Sequence, residues 1–228
     1  MTIEVIGLDG DDTLWHSEGE FSVSEEMFRS LLAPYVHSGI DLDARLIERE
    51  RANLQLFGFG VKGFVLSMIE TAIEVTDGRV GTSVIQTLIE RGKEMLNHPV
   101  ELLDGVADTV TLLAEQYRLI LVTKGDLIHQ EQKVARSGLG DHFDAVEIVS
   151  EKDETTYRRL LVRLGIAPER FVMVGNSVRS DVLPVLGIGA RAVHVPYRLL
   201  WAHEHAEHDG TVPTLTSIRD LPAWLAGR

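Results

Sequence analysis

The sequence predicts an α/β fold: a doubly wound, Rossmann-like parallel sheet with a small all-helical domain inserted into it. Three observations predict it. Short, continuous apolar runs rich in Val and Ile recur at residues 3–8, 118–123, 143–149, 171–174 and 190–195. Helix-like segments at 127–137, 154–164 and 181–186 separate the last four, the alternation of a parallel sheet covered on both faces. Residues 17–100 carry only helical periods.

Taken in order, the first strand runs straight into Asp9-Gly10-Asp11-Asp12-Thr13. Helical periods follow at 24–36, opening on Ser-Glu-Glu, and at 42–57, 61–75 and 82–96. Pro99 and the Asp104-Gly105 turn return the chain to the sheet. The expected organisation is therefore a core of 1–16 and 101–228 with a helical domain at 17–100. Neither an internal repeat nor a low-complexity segment is found.

Composition narrows the function. The 228 residues are 44% hydrophobic, enough for one sizeable domain plus an insert. With 35 acidic against 22 basic side chains, net charge -13, most of the surface repels nucleic acid and anionic membrane, so a phosphate-bearing ligand needs a local positive site. The absence of cysteine excludes disulfides, thiolate catalysis and Cys-ligated zinc. A strand beginning within two residues of Met1 leaves no room for a signal peptide, and no apolar run approaches spanning length, so a cytoplasmic protein is expected.

The chemistry gathers at the strand ends, where doubly wound folds bind ligands. Asp9 and Asp11, two apart at the mouth of an apolar strand, are costly unless a metal or partner neutralises them, and Gly10 between them permits close backbone approach. An acidic turn or helix cap is the plainer reading of the same residues. Thr123 ends the second strand, and its hydroxyl with the amides of Lys124 and Gly125 forms an oxyanion-binding set. Lys152 follows the third strand and supplies a cation for phosphate and for an ionised aspartate. Asn176 and Asp181 follow the fourth and offer the hard oxygen donors that Mg²⁺ prefers.

At these residues the chain resembles the haloacid dehalogenase superfamily, whose members are mostly Mg²⁺-dependent phosphatases with an aspartate nucleophile. Asp9-Gly10-Asp11-Asp12-Thr13 is similar to its first motif, Thr123 to its second, Lys152 to its third and 175–181 to its fourth, in order, and the helical stretch sits where many members insert a cap. The resemblance implies a phosphate monoester hydrolase in which Asp9 is the nucleophile and forms an aspartyl-phosphate, and Asp11 is general acid and then general base. It further implies that Thr123 and Lys152 bind phosphoryl oxygens, and that Mg²⁺ is held by Asp9, the Asp11 carbonyl, Asn176 and Asp181.

Asn176 departs from the family pattern, which has an acid there, and implies weaker Mg²⁺ binding or a relative that binds but hardly turns over its ligand. Asp11 argues for phosphate esters over haloacids. A phosphoacceptor receiver module is the rival from another class, since it too sets strand-end aspartates, a Thr and a Lys on a doubly wound sheet. Opposing it are the long insertion and Ser150-Glu151-Lys152 where a separate phosphoacceptor would stand. Within the insertion, the glycines of 57–64 suggest a hinge, Phe64 a core residue, and Lys62 a cation facing the leaving group of a small anionic substrate. His203, His205 and His208 look like metal ligands but are spread round a helix and read as solvated or locally hydrogen-bonded, and Arg179 reads equally as a surface or ion-pairing residue or as a substrate contact.

Overall fold

The computed structural model describes residues 2–37, 39–199, 206 and 210–227. Its sheet has five parallel strands in the order β3-β2-β1-β4-β5: β1 (Val5–Leu8), β2 (Arg118–Lys124), β3 (Ala145–Val149), β4 (Phe171–Gly175) and β5 (Arg191–His194). Receiver modules are wound 2-1-3-4-5. Here β1 lies between β2 and β4, so the rival's topology is not that of this sheet.

Side chains alternate across the sheet with period two. Ile6, Leu8, Leu119, Leu121, Val172 and Val174 enter one core layer, with Val106, Val110 and Leu113 of α5 (Val106–Ala114) and Leu221 and Leu225 of α9 (Leu221–Ala226). Val5, Ile120, Val122, Phe171 and Met173 enter the other, with Tyr157, Leu160 and Leu161 of α7 (Glu154–Leu164) and Val185 of α8 (Leu183–Gly187). Burial on both faces is why β1, β2 and β4 read as unbroken apolar runs rather than alternating ones.

The chain divides into two compact units, one of Met1–Glu18, Val100–Lys124 and Gln130–Arg228, the other of Gly19–Pro99 with Gly125–His129. The second holds α1 (Glu18–Leu32), but for its first residue, with α2 (Leu42–Phe57), α3 (Val61–Val75) and α4 (Thr82–Asn97) around Phe28, Leu32, Leu46, Val61, Phe64, Met68, Ala72, Val84, Leu88 and Met95. Phe64 is the core residue expected of it.

The helices differ from the sequence expectation in three places. First, α1 runs Glu18–Leu32 rather than 24–36, its start drawn back because the Asp12 carboxylate accepts from the Ser17 and Glu18 amides and caps the helix from outside. Second, α5 and α9 are additional helices, each too short to show a clear period. Third, the segment expected as a helix at 181–186 is a π-helical turn, Val178–Val182, running into α8. The helix α6 (Leu127–Ser137) follows β2. No helix among the described residues is long and apolar enough to cross a membrane.

Candidate active site

Parallel strands end on the same edge, and the edge past β1, β2, β3 and β4 collects the acidic and basic groups. The Asp9 amide donates to Val174 O at 2.9 Å, tying the first turn to β4. Gly10 O then accepts from the amides of Thr13 and Leu14 at 3.2 and 2.8 Å, and Asp12 takes a left-handed φ of 62°. A Cβ on Gly10 would stand 2.8 Å from the Trp15 ring and 3.2 Å from Thr123 Oγ1, so glycine here lets Trp15 and Thr123 close on the turn.

Lys152 joins the two deepest carboxylates. Its ammonium donates to Asp9 Oδ1 at 2.5 Å and to Asp181 Oδ1 at 2.7 Å. All three residues are buried, at 3%, 6% and 1% exposure respectively. Asp181 Oδ2 accepts from the Ser177 amide at 3.0 Å, and Gly175 makes room for it, since a Cβ there would lie 2.2 Å from that oxygen. Thr13 Oγ1 donates to Asp9 Oδ2 at 3.1 Å and accepts from the Asn176 amide at 3.1 Å. Asn176 Oδ1 is 3.4 Å from the same hydroxyl.

Burial, then the Asp181 charge, pushes the Asp9 carboxyl up to about 7 against the opposing pull of Lys152. Burial likewise opposes charge on Lys152, but Asp181 and Asp9 outweigh it and hold the ammonium well above the usual lysine range. Asp12, capping α1, is raised to about 6 by burial and by Asp11.

Asp11 sits one turn away. Its Oδ1 accepts from Trp15 Nε1 at 2.6 Å and Lys133 Nζ at 2.7 Å, its Oδ2 from Gln130 Nε2 at 3.2 Å. Gln130 Nε2 also donates to Thr123 Oγ1 at 2.7 Å and reaches Lys124 O at 3.0 Å, so its two N–H groups are shared among three acceptors, and the Thr123 hydroxyl has Lys124 O at 3.4 Å. Lys124 turns its ammonium toward Ser180 Oγ at 3.0 Å and Glu151 at 3.4 Å.

Asp9, Gly10, Asp11, Thr123, Lys124, Lys152, Asn176 and Asp181 thus lie in the first unit; Gly125 and Lys62 lie in the second. Lys62, expected to face a leaving group, forms an ion pair with Asp126 at 2.8 Å within that unit. His203, His205 and His208 lie outside the described residues. Sequence reasoning missed Thr13, Trp15, Gln130 and Lys133. The hydroxyl of Thr13 in the first motif was a readable signal, whereas Gln130 and Lys133 look like the polar face of an ordinary helix.

The donor set fits a hard divalent cation. Among the described residues no three His, Asp or Glu side chains gather as ligands. What gathers is the Asp9 and Asp181 carboxylates around one buried ammonium, with the Asn176 oxygen linked to Asp9 through Thr13. Two buried anions against one cation leave an uncompensated negative charge, and oxygen ligands are those Mg²⁺ takes.

A parallel sheet with an aspartate-rich turn after β1 and a lysine bridging Asp9 and Asp181 is a doubly wound core with a charged cluster at its strand-end edge, and comparison with known proteins gives it a family. Residues 3–189 match the model of haloacid dehalogenase-like hydrolases. A haloacid dehalogenase-like family hydrolase from Xanthomonas campestris is 44% identical, with a TM-score of 0.88 over 99% of this chain and 91% of that one. The glyceraldehyde 3-phosphate phosphatase of Methanothermobacter thermautotrophicus is 35% identical over 118 residues, 49% of this chain and 51% of that protein. The N-acylneuraminate-9-phosphatase of Mus musculus is 28% identical over 57% of this chain and 54% of that protein. The chain spans about half the length of these curated relatives. It belongs to the haloacid dehalogenase-like hydrolases.

Proposed function

We propose that the chain is a Mg²⁺-dependent phosphatase that hydrolyses a small-molecule phosphate monoester through an aspartyl-phosphate on Asp9. The observation that carries this reading is the Asp9–Lys152–Asp181 cluster, with Asp11 and Thr123 linked beside it through Gln130. The phosphatase names of the partial relatives support a phosphate ester as substrate.

Ionised Asp9 attacks phosphorus, the P–O bond to the alcohol breaks, and the leaving oxygen takes its proton from Asp11. The resulting Asp11 carboxylate then removes a proton from water, whose oxygen attacks the aspartyl-phosphate and releases inorganic phosphate and Asp9. Lys152 and the Thr123 hydroxyl bind the phosphoryl oxygens during both transfers. Asp9, the Asp11 carbonyl, Asn176 and Asp181 would hold a Mg²⁺ ion, which would supply positive charge to keep Asp9 ionised and to screen it from the anionic ester.

Phosphate release from sugar phosphates, nucleoside monophosphates and phosphoglycolate, assayed with Mg²⁺ and with a chelator, tests the reading. Turnover on at least one ester, lost with the chelator, is expected. Metal-independent release, or none on any ester, overturns it.

A further inference from the structure

The helix after β2 carries two polar side chains that the chemistry above leaves without a role. Gln130 and Lys133 are three positions apart on α6, so they share a face. That face is not solvated: Gln130 is 1% exposed and the Lys133 side chain 13%. A lysine drawn in this far has a partner that rewards desolvation. Here it is Asp11 Oδ1, at 2.7 Å, with Ser17 Oγ at 3.3 Å.

We propose that Gln130 and Lys133 are positioning residues for the reaction, holding the Asp11 carboxylate in the orientation from which it exchanges protons with the leaving oxygen and with water. The inference rests on the hydrolase reading. A carboxylate on a turn rotates freely about two bonds unless donors fix it. Trp15 and Lys133 fix one oxygen and Gln130 the other, so each oxygen has a set direction. By donating to Thr123 Oγ1 as well, Gln130 sets the proton-exchanging group and the phosphoryl-binding hydroxyl in one frame. A proton donor works only within hydrogen-bond reach of the oxygen it serves, and misplacement by an ångström costs on the order of 100-fold.

Leaving-group dependence tests this. Lys133→Met and Gln130→Met should lower kcat/KM for glycerol 3-phosphate about 30-fold, since an alkoxide needs the proton, and for p-nitrophenyl phosphate less than about threefold, since its phenolate does not. In an Asp11→Asn background, Lys133→Met should add no further loss. The Trp15 indole N–H resonance gives a readout independent of activity: it should shift in Lys133→Met, because Trp15 and Lys133 share one oxygen of Asp11. Equal losses on both esters, a full loss in the Asp11→Asn background, or an unmoved Trp15 resonance would overturn the inference. An active wild-type protein with unchanged α6 variants overturns it alone. A wild-type protein inert toward every ester overturns the hydrolase reading and this inference with it.

Discussion

Lys152 places its ammonium 2.5 Å from the carboxylate of Asp9, a residue 143 positions earlier in the chain. The pair is buried, and Asp181 shares the same ammonium at 2.7 Å. Breaking a buried pair by removing one partner leaves an uncompensated charge, so Lys152→Met should destabilise the metal-free protein by about 3–5 kcal/mol. Urea unfolding with a chelator present measures it. The deficit should shrink as the pH falls from roughly 9 to roughly 7, because without Lys152, which lowers it, the Asp9 carboxyl takes up its proton above the wild-type value of about 7 and so neutralises what the lysine no longer does. A deficit independent of pH contradicts the charge argument.

Asp9→Asn removes the nucleophile while keeping its volume and one acceptor for Lys152. Turnover should fall by roughly three orders of magnitude or more, as deletion of a covalent nucleophile does. The melting temperature should stay close to wild type. A well-folded variant with near wild-type activity would rule Asp9 out.

Asp12 gives a pH dependence with a definite sign. Its folded value of about 6 lies above the ordinary 3.8, so the native state binds this proton more tightly than the unfolded chain does. The associated stability is fully present below 3.8 and is lost as pH rises through about 6. Asp12→Asn keeps an oxygen for the Ser17 and Glu18 amides and tolerates the left-handed φ of 62°. It should therefore be more stable than wild type at pH 8, by on the order of 1–2 kcal/mol, with the gain gone at pH 3.5. Denaturant titrations at the two pH values decide it, and a variant weaker at pH 8 would show that the second carboxylate oxygen matters more than the charge.

Mg²⁺ affinity should respond to both Asn176 and pH. Asn176→Asp adds a carboxylate beside the proposed cation and should tighten binding, by about tenfold if the ligand is direct. In wild type, protons compete for Asp9, so affinity should weaken as pH falls through about 7. Calorimetric titration of the metal-free proteins reads both effects. Weaker binding by the Asp variant at neutral pH would take Asn176 out of the metal's neighbourhood.

Much of the fold was legible in the chain because its signals are local. A strand buried on both faces must be apolar at every position, so β1, β2 and β4 announce themselves, and the period of α2, α3, α6 and α7 is long enough to read to the residue. The strand-end residues Asp9, Thr123, Lys152 and Asn176 were legible for the same reason: each follows an apolar run directly or closely. Only tertiary structure decided the rest. That Lys152 neutralises Asp9 and Asp181 together, that Gly175 stays bare to admit Asp181 Oδ2, and that Asp12 starts α1 six residues early are relations across the sheet or across a turn. So too with Gln130 and Lys133: their spacing on α6 is that of any solvated helix face, and only the crossing of α6 past the Asp11 turn converts it into a buried hydrogen-bonding surface. Sequence periodicity records which side of an element faces inward. It does not record what waits there, because that depends on strand order and on distances between residues more than a hundred positions apart.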